Sequence, residues 1–209
     1  GDTVLIAGGT YRERVHVRAT GGAHAPIAFK AMPGEKVIMD GVNKSLNAFF
    51  IVTGKKHLLF DGFYFVASNR ERLQGWFLWL AGEFKLYCCG DVEITRCFAD
   101  GRGGYSAAFI VAWQVDNLRV RNCVNMNKFS GTYFLRCPDL LIENSVFARP
   151  MISSILVRNE KNQAAIMNHN IFTDNLKKKA DLNIGFMTVD SPMDAFRQNT
   201  NCYLVRSFP

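Results

Sequence analysis

This sequence lacks long apolar runs and helical periodicity. Its 209 residues contain no apolar run of about 18 residues, the length that a membrane-spanning helix requires. No signal-peptide pattern is visible at Gly1. No stretch of useful length spaces its apolar residues as a helix would, which excludes ankyrin and tetratricopeptide repeats, because each of their units needs two helices. The fixed leucine pattern of leucine-rich repeats is also missing.

A nine-residue phrase, DLLIENSVF in its clearest form, recurs along the chain. Copies begin at six positions: Lys36, His57, Asp91, Asn117, Asp139 and Ala164. These starts are separated by 21, 34, 26, 22 and 25 residues; positions two and four are apolar or Ala, and position five is polar. A weaker copy begins at Arg14. The recurrence predicts a repeat protein.

The period and the turn residues predict the repeat unit. A spacing of mostly 21–26 residues, rich in β-formers and punctuated by Gly, Asn, Asp and Pro, is typical of a coil of three short strands and three turns. We therefore predict one all-β domain over residues 1–209, a parallel β-solenoid of about seven to eight coils. Its approximate repeats are 34–56, 57–90, 91–116, 117–138, 139–163 and 164–194.

Stacked coils predict columns of equivalent residues about 4.8 Å apart. Asn122 then lies over Asn144, in a column where Asn side chains can satisfy backbone groups and one another, and His169 is a substitute in the same column. Cys97 lies over Cys123.

The six cysteines do not form the framework of a disulfide-rich secreted domain. Cys89 and Cys137 share a column but are two coils apart, roughly 10 Å, which is too far for a bridge. The pair Cys88-Cys89 has no companion pair at zinc-ligand spacing. We predict unbridged core cysteines, while a disulfide between Cys97 and Cys123 stays open for an exported protein.

The formal net charge of +7 and the pI near 9.2 favour an anionic partner. A solenoid presents long faces that suit an extended polymer. Nucleic acid is not expected, because no recognised module or aromatic–basic platform is present. An acidic polysaccharide is the predicted partner.

The opening GDTVLIAGGTYRERVHV, followed by APIAFKAMPGEKVIMDG, resembles the first coils of right-handed parallel β-helix proteins of the pectate-lyase-like superfamily. It looks most like the chondroitinase B and alginate lyase group. The resemblance implies a right-handed helix, a secreted, periplasmic or cell-surface location, and a polysaccharide lyase; a glycoside hydrolase or an epimerase is a weaker alternative. Because repeat folds need covered ends, we expect a capping segment, a further domain or a partner chain at an open end.

A lyase of this kind neutralises the uronate carboxylate, takes the proton from C5 and expels the 4-linked oxygen, and Ca²⁺ is one possible neutraliser. The resemblance points to Arg136, which stands in an R-x-x-D context, and Arg158 is its predicted neighbour in the next coil. The alternative is a pair of solvated arginines. The predicted substrate-binding residues are Asp100, Arg102 and Tyr105 of the loop DGRGGY, together with Lys161 and Trp76.

Several family motifs are absent from the sequence. The lyases' Lys motif and their Asn/Glu/Glu calcium cluster cannot be found, nor can the Asn-Thr-Asp, Asp-Asp and Gly-His-Gly signs of polygalacturonases. The Arg-x-Pro-x-x-Arg of pectate lyases is missing too. A non-catalytic β-helix that binds glycan or serves as a surface component therefore remains the alternative function.

Overall fold

A computed structural model describes residues 1–41, 48–66, 81–102, 108–150, 154–158, 164–173, 187–189 and 196–204. These residues form 23 strands, β1 to β23 in chain order, and no helix. The strands belong to three sheets, and all pairing between them is parallel.

Each sheet takes every third strand. Sheet A contains β1 Thr3–Ile6, β4 Ile27–Ala31, β7 Lys56–Asp61, β10 Gly90–Thr95, β13 Asp116–Arg121, β16 Leu140–Glu143, β19 Ala165–Asn168 and β22 Phe196–Asn199. Sheet B contains β2 Gly9–Tyr11, β5 Val37–Asp40, β8 Phe63–Val66, β11 Phe98–Asp100, β14 Val124–Met126, β17 Val146–Ala148, β20 Ile171–Thr173 and β23 Cys202–Leu204. Sheet C contains β3 Val15–Val17, β6 Phe50–Thr53, β9 Gly82–Tyr87, β12 Ala108–Trp113, β15 Thr132–Leu135, β18 Ile155–Arg158 and β21 Met187–Val189.

The chain passes from sheet A to sheet B to sheet C once per coil, and each coil stacks on the one before it. The molecule is therefore a right-handed parallel β-helix, which confirms the predicted all-β solenoid.

The core is a continuous column of inward side chains, rich in phenylalanine. Phe60 stacks on Phe29 with 5.3 Å between ring centroids, and Phe50 stacks on Phe84 at 5.3 Å. Phe65 meets Phe84 edge-on at 5.1 Å. These arrangements are the ones that aromatic pairs prefer, so stacking adds to the stabilisation that comes from removing the rings from water.

The strand register places five of the repeat starts at the same level of consecutive coils on sheet A. His57, Asp91 and Asn117 are the second residues of β7, β10 and β13, and Asp139 and Ala164 directly precede β16 and β19. The other two starts are out of phase. The copy from Lys36 lies on sheet B as β5, and the weaker copy from Arg14 lies on sheet C as β3. Strands of all three sheets alternate inward and outward residues, so alternation alone does not tell which side of the coil a strand occupies.

A single residue in the left-handed region joins sheet A to sheet B in successive coils: Gly62, Arg96, Asn122, Asn144, His169 and Thr200, with φ between 49° and 85°. The predicted stacking of Asn122 and Asn144 in adjacent coils is present, but both side chains are exposed. The predicted Asn ladder is wrong by one residue, because the residue after this turn points into the helix.

The ladder itself runs through Ser145, Asn170 and Asn201. The backbone N–H of Ser145 donates to Asn170 Oδ1 at 3.0 Å, and the N–H of Asn170 donates to Asn201 Oδ1 at 2.9 Å. Asn170 Nδ2 also donates to the carbonyl of Ile142 at 3.0 Å. The amide side chains of the buried Asn170 and the half-buried Asn201 thus satisfy backbone groups from one coil to the next.

Candidate functional site

Two rows of side chains cover the outer face of sheet C, because residues between inward core positions must point outward. The first row is His16, Ile51, Lys85, Val111, Tyr133 and Leu156. The second row is Thr53, Tyr87, Trp113, Leu135 and Arg158. We call these two rows the sheet C face. Neither row contains a carboxylate.

Trp113 is the most exposed aromatic side chain of this face, with 43% of its surface accessible. Tyr87 and Leu135, its neighbours in the coils before and after, are half-buried. A large ring that remains in water on a structured strand can be buried against a ligand, and that burial is favourable. Sequence analysis did not identify Trp113, because the outward direction of its side chain depends on which side of the coil its strand occupies.

Arg136 and Arg158 lie in adjacent coils at the end of the sheet C face. The backbone N–H of Arg136 donates to the carbonyl of Arg158 at 2.9 Å. Register pairs Leu135 with Arg158, so Arg136 lies one residue further on, in the turn towards sheet A, with φ of 53°. Both arginines are exposed. The structure therefore brings the predicted pair together with an offset of one residue.

Lys85 was missed by sequence analysis. Its neighbours Phe84 and Leu86 are in the core, and Lys85 itself is only 9% exposed on the outer side of β9. Burial, with a smaller contribution from the charge of Arg14, lowers the pKa of Lys85. Tyr87 lies two residues further along the same strand, and burial raises its pKa. The signal in the sequence that could have identified Lys85 is a lysine between two large apolar residues, in the run FKL at 84–86.

Asp100 and Arg102 lie apart from this face, on sheet B and in the turn after it. Asp100 Oδ1 accepts a hydrogen bond from the backbone N–H of Arg102 and another from Asn127 Nδ2, both at 2.8 Å. The two residues line a groove of about 410 Å³. The other predicted binding residues, Tyr105, Lys161 and Trp76, lie outside the described residues.

A second groove, of about 330 Å³, lies at the start of the sheet A strands. Asp91 links three coils there: its carboxylate lies 3.2 Å from His57 Nδ1 and accepts a hydrogen bond from Asn117 Nδ2 at 2.7 Å. Arg119 Nε donates to Asn117 Oδ1 at 3.2 Å. Asp91 and Glu93 both line this groove, whereas the two rows of the sheet C face contain no carboxylate.

All six cysteines are free; Cys89, Cys97, Cys123 and Cys137 are buried as predicted, but Cys88 and Cys202 are exposed and are not core residues. Burial raises the pKa of Cys97 well above its ordinary value and raises the pKa of Cys137 to about 12. Among the described residues, no group of three His, Cys, Asp or Glu side chains could hold a metal ion. The described part of the chain also contains no helix long and apolar enough to cross a membrane.

Comparison with known proteins finds likeness at the level of structure. No protein-family model and no curated protein matches the chain. A protein from Parabacteroides merdae, provisionally described as a glycosyl hydrolase, superposes with a TM-score of 0.54 and 11% identity over 100% of this chain and 85% of that one. At this identity the likeness shows the fold alone.

Two lyase structures are also matched. For an alginate lyase from Paenibacillus, the TM-score is 0.43, with 12% identity over 99% of this chain and 93% of that one. For a rhamnogalacturonan lyase, the TM-score is 0.38, with 12% identity over 96% and 79% of the two chains.

Proposed function

We propose that the protein is carbohydrate-active, and that it binds an acidic, uronate-containing polysaccharide along the sheet C face and cleaves it by β-elimination. The observation that carries the proposal is the exposed Trp113 in the same row as the exposed Arg158, on a face whose two rows contain no carboxylate, with the exposed Arg136 in the turn at the end of that face. The ring offers a platform for the apolar face of a sugar, and the guanidinium groups pair with carboxylates. The formal net charge of +7 draws a polyanion to this surface.

Lys85 and Tyr87 supply the acid–base chemistry. Their pKa values are displaced in opposite directions, that of Lys85 downward and that of Tyr87 upward, and such pairs mark acid and base roles. The neutral amine of Lys85 takes the proton from C5, the bond between C4 and the linking oxygen breaks, and a double bond forms between C4 and C5. The phenol of Tyr87 gives its proton to the departing oxygen.

Arg158 acts at a neighbouring sugar. Three coil steps separate it from the level of Lys85, a distance of roughly 14 Å. That separation suits an extended chain lying along the helix axis. Arg14, whose charge is felt by Lys85, is the candidate for neutralising the carboxylate of the sugar that loses its proton.

The test is the ultraviolet absorbance of the unsaturated uronate, followed over alginate, pectate, chondroitin and dermatan with and without Ca²⁺. We expect product whose rate rises with pH as Lys85 loses its proton, and a loss of at least about a hundredfold in Lys85→Met. Tyr87→Phe should slow the reaction, and Arg158→Ala and Arg136→Ala should weaken substrate binding. Lys56→Met, at an exposed position at the start of β7, is the matched control.

Absence of product on every polymer, with binding that still depends on Trp113 and Arg158, would replace the lyase with a non-catalytic glycan-binding β-helix. The missing Lys motif and calcium cluster favour that alternative. Unchanged binding in Trp113→Ala and in Arg158→Ala would remove the sheet C face from both functions.

A further inference from the structure

The groove on the outer face of sheet B has no role in the proposed reaction. Tyr64 and Phe98 form its floor; they lie on adjacent strands, β8 and β11, with ring centroids 5.5 Å apart and ring planes inclined at 33°. Both rings are half-buried and face outward. The groove has a volume of about 410 Å³, enough to hold part of a small saccharide.

The carboxylates of this groove are already engaged by the protein. Asp40 accepts hydrogen bonds from Arg12, at 3.1 Å from Nε and 2.9 Å from one terminal nitrogen. Asp100 accepts hydrogen bonds from the backbone of Arg102 and from Asn127. Both carboxylates therefore already have partners other than the side chains of Lys36 and Arg102.

Those cations are Lys36 and Arg102. The ammonium of Lys36 lies 4.4 Å from the ring centroid of Tyr64, and the Arg102 side chain is exposed. Neither forms an ion pair with any residue that the structure describes. Lys36 precedes β5 and Arg102 follows β11, so the two lie towards opposite ends of the sheet B strands and flank the aromatic floor.

We propose that the sheet B groove is a second, non-catalytic saccharide-binding site, which takes a short acidic oligosaccharide across the strands. One sugar ring of the oligosaccharide lies on the Tyr64–Phe98 floor. Carboxylates towards the two ends of the oligosaccharide pair with Lys36 and Arg102. The charge-assisted contacts select acidic over neutral saccharides. The inference rests on the proposed function only for the class of ligand, because the groove belongs to a different sheet from the proposed catalytic residues.

The experiment is calorimetric titration with a short oligogalacturonate and with its carboxyl-reduced counterpart, at one fixed salt concentration. It uses the Lys85→Met protein, so that the probe is not cleaved. In this background, Lys36→Gln/Arg102→Gln should weaken binding of the acidic probe by about tenfold or more. Lys56→Gln/Arg149→Gln removes the same charge from exposed positions outside the groove and should bind as the parent does.

Two further arms separate this site from the sheet C face. Phe98→Ala should weaken binding in the same way, and the Lys36/Arg102 variant with Lys85 intact should keep the lyase rate of the parent on the short probe. If no lyase activity exists but binding still depends on Lys36 and Arg102, the second site stands without the proposed reaction. Equal binding by the Lys36/Arg102 variant and its control, or equal affinity for the carboxyl-reduced probe, overturns the inference.

Discussion

Glu83 and Lys128 form an ion pair inside the β-helix, and both side chains are fully buried. Lys128 Nζ contacts Glu83 Oε1, which joins β9 to the connection between β14 and β15. Asn125 and Thr132, next to that connection, are also buried, so this corner of the core is polar. A buried charge without its partner is strongly destabilising, so each of these two charged groups depends on the other.

Lys128→Met tests this dependence. The substitution keeps a long side chain but leaves the Glu83 carboxylate in the core without the ammonium that balances it. Breaking a buried ion pair from one side costs about 3–5 kcal/mol. The double variant Glu83→Leu/Lys128→Met removes both charges, and we expect it to recover most of that loss, to within about 2 kcal/mol of the parent protein, because an apolar pair of similar volume can replace a buried ion pair.

The measurement is equilibrium unfolding in urea followed by circular dichroism, after reversibility has been checked by refolding. Lys56→Met, which removes an exposed lysine, should change the free energy of unfolding by less than about 0.5 kcal/mol. A cost below about 1 kcal/mol in Lys128→Met, or a double variant no more stable than the single one, would refute the reasoning.

The thiols and the Asn ladder give two more predictions. In the native protein, a disulfide exchange reagent should titrate Cys88 and Cys202 quickly, and the other four thiols should react only on unfolding because they are buried; fast reaction of more than two contradicts the structure. Asn170→Ala should lower the free energy of unfolding by about 1–3 kcal/mol, because it leaves the buried N–H of Ser145 without its acceptor. Asn144→Gly, at an exposed left-handed position, should cost much less in the same urea titration, and equal costs would count against an inward ladder.

The sequence predicted the features that depend on spacing alone. The recurrence from His57 to Ala164 set the period and the register of sheet A, and the free cysteines followed from their places in that register. The wrong predictions concern phase, that is, which side of the coil a copy of the phrase occupies and which of its side chains point inward. The copy at Lys36 has the same alternation and the same Asp-Gly turn as the copy at His57, yet it lies on another sheet, because a period of two is common to all three sides of the coil.

Phase also decides which side chains reach the surface where a ligand can meet them. In the run RNC at 121–123, Asn122 has a left-handed backbone, so its side chain points to solvent and the next side chain, Cys123, is buried. A single residue of this kind therefore changes which of the following side chains point inward. Trp113 and Arg158 are 45 positions apart and come to one face only because two coil steps carry them into register. Composition can therefore predict that a basic β-helix binds a polyanion, but the face that binds it follows from the turns, which must be placed one residue at a time.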